Sequence, residues 1–572
     1  MRAIQHIFGL SIILLFTLSL HAQKKSKKGL TYKEKQKFER LFIDASKAKI
    51  LSDFEQSIKL FESCVKIDPS QPTPHYELGN LYFHVGAIDQ AIKHSKIAAE
   101  TDPENVYFRI MYAEVLKGSQ NYEAAKKQYE GIIEDFPNRF EIYAEWALLE
   151  ILQKEYDKAI DIYDRLELTM GPNEEIKLKK QYLYLQTGKV DKAAAEIEEL
   201  IQLQPENVKY YLLLAEVYYI NGFEDKALKA YKKAENKFPN NADIQLSLAD
   251  FYKHKKQYKK VFAQLNIAFQ NQDLDIDTKM KSILEMFDVV SAESQYRENL
   301  RELGKVLLEA HPNDAKALTI NGDIALNMDL KTEAQSYFEL AVEKDKSRFP
   351  IWNQLLILDA ELELNEKLKE HSQEASELFP NQPLCFYFLG FANGMLDENR
   401  SAIEAYEKGL LVTVDNDLLL IQFYLSLGEQ YNTIQDFEKS DYAFEQLLKL
   451  DSNNTIALNN YSYYLSLRNE KLEKALYFSG KSNELEPNRP TYLDTYAWIL
   501  YKMKRYDEAL IFMQKAIDHG GNNSGEVLEH MGDILFKLER KEQAIKYWKE
   551  AKEIGGGSEY LIKKLEEGKL YE

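Results

Sequence analysis

Proline returns along this chain at a fixed interval. Pro69, Pro103 and Pro137 stand 34 residues apart, Pro205 and Pro239 repeat the step, and Pro312 to Pro380 is twice that length. Most of these follow an acidic or aromatic residue that closes an apolar-periodic stretch: KIDP, ETDP, EDFP, NKFP, ELFP and ELEP. Proline has no amide hydrogen and clashes with the preceding turn, so each one stops a helix and allows the next to start. A chain punctuated in this way cannot gather around one deep core; it must build an array of short elements.

A second set of marks keeps the same phase. Small residues fall twelve before the proline position, at Ala91, Ala125, Ala193, Ala227, Ala334, Ala402, Ala475, Ala509 and Ala544, and a bulky residue often follows four later, as at Tyr129, Tyr163, Tyr231, Phe338, Tyr406 and Trp548. Twelve residues further upstream lie Gly79, Ala113, Ala147, Ala215, Gly322, Gly390, Ala497 and Gly532. Two small positions per unit let two antiparallel helices cross closely, with the aromatic side chain filling the space beside the crossing. Glycine (24) and proline (14) are scarce in 572 residues rich in Leu, Lys, Glu, Ala, Ile and Tyr, which suits helices.

A 34-residue helix–turn–helix unit with these marks resembles the tetratricopeptide repeat. HYELGNLYFHVGAIDQAIKHSKIAAETDPEN (75–105) and YYLLLAEVYYINGFEDKALKAYKKAENKFPNN (210–241) carry the resemblance most clearly. It implies an all-α fold, a right-handed α-solenoid of about fifteen antiparallel helix pairs. The step from Pro239 to Pro312 is 73, two units plus five residues, and the segment QNQDLDIDTKMKSILEMFDVV there lacks the small marks. We therefore expect a basic linker over 23–30, an N-terminal array over 31–271, a degenerate repeat or bend over 272–312, a C-terminal array over 313–556 and a capping amphipathic helix over 557–572.

The first residues have the layout of a secretory signal peptide over 1–22: Arg2, an apolar run from Ile7 to Leu20, and Ala22 before the expected cut. The run is shorter than the ~18 residues a membrane span needs, and no cysteine near the cut offers a lipid anchor. Lys24, Lys25, Lys27 and Lys28 follow it. No later segment is apolar enough to span, so the mature chain is expected to be soluble, in the periplasm or secreted.

Formal charge is −19, against the basic face that nucleic-acid binding requires. Cys64 and Cys385, the only two cysteines, are too few and too far apart for a disulfide framework or a thiolate cluster. The sequence holds no phosphate loop with a following Lys-Ser/Thr, no HExxH, no CxxC and no GxSxG. No cofactor, metal or catalytic residue is therefore assigned, and GGNNSG (520–525) and GGGS (555–558) read as helix stops. A hydrolase hidden in 272–312 has no motif behind it.

What remains is surface. The resemblance implies a concave groove lined by positions five, nine, twelve and thirteen of each unit. In the last three units these fall on Asn459 and Tyr463, then Asp494, Trp498, Tyr501 and Lys502, then Glu529, Asp533, Phe536 and Lys537. Asn460 suits the carboxylate clamp some relatives use for a chaperone tail, yet Asp494, Glu529 and Asp533 crowd the same groove with negative charge, so a basic, neutral or apolar partner fits better. The array also resembles long exported repeat proteins of Bacteroidetes-like bacteria, and LNNYSYYL, LDTYAWIL and EHMGDIL resemble units of envelope-assembly proteins. Together these imply a non-catalytic scaffold of the cell envelope that binds proteins or peptides, in outer-membrane or lipoprotein biogenesis. The alternative is a glycan-binding or enzyme-accessory module in which Trp498 and Tyr501 stack on sugar rings.

Overall fold

The computed structural model of the chain describes residues 29–571. The signal peptide expected over 1–22 and most of the basic linker lie outside the described residues. Within them the chain forms 31 α-helices and two short 3-10 turns. They run as fifteen consecutive helix pairs and a final helix, Leu561–Glu567, inside the expected capping segment. The fold is an all-α solenoid, as the 34-residue period implies.

Each mark in the sequence has a physical counterpart. Pro69, Pro103, Pro137, Pro205, Pro239, Pro312 and Pro380 each follow the residue that caps a second helix, from Asp68 to Phe379. A residue before proline is pushed out of the helical region, which makes that cap sharp. Asparagine and aspartate open many of the first helices: the side chains of Asn105, Asn207, Asn241, Asp314 and Asn454 accept hydrogen bonds from amides of the first turn.

A further 34-residue signal lies in the turn inside each pair. Ser52, Gly86, Gln120, Lys154, Gly188, Gly222 and Lys256 recur at that step, all with φ between 54° and 80°. One left-handed residue per turn reverses the chain; glycine adopts it without strain, while the others do so at some cost.

The two small positions meet the ring of their own pair. A Cβ on Gly322 would lie 2.8 Å from the Phe338 ring, on Gly390 2.5 Å from Tyr406, on Gly428 2.8 Å from Phe444 and on Gly532 2.4 Å from Trp548. Alanines at the second position, among them Ala91, Ala125, Ala334, Ala402 and Ala544, are fully buried at the same crossings. The ring fills what the missing side chain leaves, and the crossing becomes a close-packed seam.

Contacts divide the chain into two compact units, up to Pro239 and from Asn240. The first holds six described pairs and the second nine pairs and the final helix. Segment 272–312 lies within the second unit and folds as a pair, Ile276–Ala292 and Arg297–Ala310, joined by the turn Ser294–Tyr296. The preceding second helix, Tyr258–Phe269, packs on Arg297–Ala310. Lys279 is buried here and donates to the carbonyls of Phe269 (2.9 Å) and Asn271 (2.7 Å), with His311 Nε2 at 2.8 Å. Its amine thereby caps the C-terminal end of Tyr258–Phe269.

Candidate partner-binding groove

In the second unit the first helices of neighbouring pairs approach one another directly: Thr455–Leu467 lies on Pro490–Lys502, which lies on Gly525–Lys537. Close first helices make their side the inner side of the curve in this stretch. The residues expected to line it stand on these three helices, and the structure brings most of them together as a packed, internally bonded cluster.

Trp498 and Tyr501 stack face to face, with centroids 4.6 Å apart and planes within 7°. His530 covers Trp498 at 3.8 Å. Asp494 accepts from His530 Nδ1 at 2.9 Å and fixes the imidazole in place. Trp498 is 6% exposed and Tyr501 2%, so neither offers a platform to a sugar ring. The alternative of a sugar-stacking pair is not supported: the column is closed by the chain's own rings, with Lys502 Nζ 4.8 Å above the Trp498 ring and Lys537 5.9 Å from that of Tyr501. The Trp498 indole N–H is buried without an acceptor among the described residues. Tyr463 donates from its hydroxyl to Glu526, two pairs further on, and bridges over this column.

Glu529 and Asp533 are also occupied from within. Lys564, on the final helix, donates to Glu529 Oε1 at 2.7 Å and to Asp533 Oδ2 at 2.6 Å. Trp548 Nε1 donates to Asp533 Oδ1 at 2.9 Å, and Ser558 donates to Glu529 from both its amide and its hydroxyl. These carboxylates are buried beneath the tail, which corrects the expectation that they line an open surface. Phe536, half-buried against Trp548, is the member of the expected set that opens on a shallow recess, shared with Lys537 and Leu570.

The electrostatics follow from this packing. Burial opposes charge on His530, but Asp494, with Glu526 and Asp533 beyond it, holds its pKa above the ordinary value. Burial raises the Asp533 carboxyl to about 6 against the pull of Lys564. Burial likewise opposes the charge of Glu529, where Lys564 and Ser558 outweigh it and keep the group low.

Asn459 is buried and its amide donates to Asn460 Oδ1 at 3.3 Å; Asn460 in turn donates to Glu429 at 2.9 Å. Glu429 was not among the expected groove residues. Large apolar side chains are exposed near the ends of first helices at Leu152, Ile220, Met395 and Leu467, the thirteenth position of their units and outside the expected set, each five after the small residue of its pair. Their signal in the sequence was that shared register.

A sequence model of the tetratricopeptide repeat matches residues 110–175 and 182–242, and a second matches 491–518. The TPR repeat-containing protein MJ1428 of Methanocaldococcus jannaschii is 23% identical over 380 residues, 62% of this chain and 65% of that protein. Protein O-mannosyl-transferase TMTC1 of Homo sapiens is 23% identical over 189 residues, 32% of this chain and 21% of that one. The matches thus span less than two thirds of these relatives. Among solved structures, yeast Tom70 aligns over 94% of this chain and 95% of its own at 13% identity, with a TM-score of 0.30.

The chain carries tetratricopeptide repeats. Such repeats typically form non-catalytic scaffolds, and this fold is suited to holding other proteins. No helix among the described residues is long and apolar enough to cross a membrane.

Proposed function

We propose that this protein is a non-catalytic scaffold of a bacterial cell envelope, exported by its leader to the periplasm, which gathers partner proteins on the first-helix face of its repeats for outer-membrane or lipoprotein biogenesis. The observation that supports partner binding is the recurrence of exposed apolar side chains at one register of that face: Leu152 (59% exposed) and Ile220 (72%) in the first unit, Met395 (54%) and Leu467 (51%) in the second. Scattered exposed hydrophobes need no explanation, but a set in register along stacked elements has the character of a binding surface. Export rests on the sequence pattern of residues 1–22.

The test is photo-cross-linking in cells from Met395 and Leu467, with Tyr442, exposed on a second helix, as the comparison. Capture of the same proteins from both first-helix positions and not from Tyr442 is the expected result. Capture from Tyr442 alone refutes the assignment of the face. A protein found only in the cytoplasmic fraction with residues 1–22 intact refutes the assignment of the compartment.

A further inference from the structure

Three first helices carry a glycine followed at once by a carboxylate: NGDIAL (321–326), LGEQY (427–431) and MGDIL (531–535). In each, the glycine receives the ring of its own pair, Phe338, Phe444 or Trp548, so the three acidic residues hold the same place in the unit. At Asp533 that place is filled by a cation delivered from another helix, Lys564, whose ammonium sits 2.6 Å from the carboxylate. At Asp323 and Glu429 there is no such cation. Glu429 receives one hydrogen bond, from Asn460, and no Lys, Arg or His among the described residues pairs with either carboxylate.

Both groups are half-buried, and burial raises both, Asp323 to about 6. A carboxylate kept out of water without a counter-charge is costly, and a protein tolerates it where a ligand supplies the missing charge. Elsewhere in the array the corresponding acidic residues are satisfied differently. Glu114 and Asp250 pair with Lys117 and Lys253 of their own helices, and Glu216 is exposed to water. Beside Glu429 there is a second unmet demand: Asn459 is 8% exposed, its amide lies against Asn460, and its Oδ1 has no donor among the described residues. An ammonium entering at Glu429 carries three donors, enough to serve both oxygens of the carboxylate.

We infer that Asp323 and Glu429 are seats for lysine side chains of a partner protein, held as Lys564 is held on Asp533. This rests on the scaffold reading above and names the chemistry of what the face receives: a segment that presents lysines, with apolar residues for Met395 and Leu467. The acidic balance of the whole chain favours approach of such a segment.

The probe is fluorescein-labelled decalysine, titrated by anisotropy against the full chain at about 50 mM salt, where exposed charges are only partly screened. Glu429→Gln and Asp323→Asn are each expected to weaken binding at least about threefold and the double variant about tenfold, whereas Glu216→Gln stays near wild type. A second readout separates a seat from a structural carboxylate. Because neither group has a cation to lose, Glu429→Gln and Asp323→Asn should leave the thermal midpoint unchanged or raise it, while Lys564→Met, which strands two buried carboxylates, lowers it.

Equal loss in Glu216→Gln, no loss in the seat variants, no binding of decalysine, or a midpoint that falls in Glu429→Gln each overturns the inference. If cross-linking from Met395 succeeds while decalysine ignores the seat variants, the scaffold stands and the lysine seats fall. If decalysine discriminates but nothing is captured at Met395 or Leu467, the reverse holds.

Discussion

Gly390→Ala and Gly480→Ala make one chemical change in two helix interiors, and the packing gives them opposite signs. At Gly390 the added Cβ would lie 2.5 Å from both Cδ1 and Cε1 of Tyr406 and 2.8 Å from Cζ, about 1 Å inside a comfortable carbon contact. The ring has nowhere to go, since Tyr406 is buried with Tyr387 6.0 Å and Phe423 6.1 Å away, centroid to centroid. Overpacking of this kind costs about 1–3 kcal/mol, against about 1 kcal/mol gained from alanine's better helix propensity. The net is a loss of about 1 kcal/mol, reaching about 2 if the ring cannot tilt. At Gly480 the new Cβ meets only Tyr496 Cε2 at 3.5 Å, an ordinary contact, so the propensity gain of about 0.5–1 kcal/mol survives.

An array need not unfold in one step. The assay is therefore native-state hydrogen exchange, read on peptides covering 383–412 and 472–502, with urea unfolding by circular dichroism as the global check. Gly390→Ala should speed exchange in the first segment and Gly480→Ala slow it in the second. Equal protection in both variants would show that the ring does not fill the glycine's space, and the seam argument would be wrong for all four glycine pairs.

Lys564→Met strands Glu529 and Asp533 in the interior without their cation, a loss of about 3–5 kcal/mol for a buried pair, so exchange protection of 558–567 should vanish while that of 383–412 is kept. The His530 pKa is raised in the fold, so its contribution is full below its ordinary 6.5 and is lost as pH rises through the folded value; Asp533, raised to about 6 from 3.8, loses its contribution between those two values as pH rises. The last two pairs should therefore hold better in mild acid than in mild alkali, and Asp494→Asn should lower the His530 midpoint in an NMR titration of its ring relative to the wild-type chain, because burial remains when the nearest carboxylate is gone. Burial pushes the thiols of Cys64 and Cys385 to about 11 and about 12, so neither should react with a thiol reagent until the chain is unfolded. A fast-reacting thiol in the native protein contradicts that burial.

The helix pairs were legible because every mark that makes them is local. Pro103 stops the helix it follows, and Gly322 and Phe338 meet within one unit. The open groove was not legible for a related reason. Register alone places Asp494, Trp498, Tyr501, Glu529 and Asp533 on the inner face, correctly as to helix, but whether that face is open depends on partners from other units. Tyr463 reaches Glu526 across two pairs, His530 comes from the next pair, and Lys564 arrives from beyond the array. Nothing in the spacing of one unit announces those contacts. Asp323 and Glu429 were readable in principle as glycine–acid steps matching Gly532 and Asp533, but only after Lys564 showed what the third copy holds.

The glycine–ring contact itself closes inside a single pair, Gly390 on Tyr406 or Gly428 on Phe444, while the next pair's Phe423 and Tyr461 back the two rings. A pair built this way is a cassette: one of them, cut out from loop to loop or copied in tandem, takes its own lock with it. Neighbouring pairs are joined by surface ion pairs such as Lys49–Glu77 and Lys117–Glu145, but the last three are tied further, by Tyr463 reaching two pairs on and by the buried Lys564 of the final helix. Gene duplication or an engineer's splice can lengthen the array among the cassettes, whereas any edit after Thr455 must keep the terminal block whole.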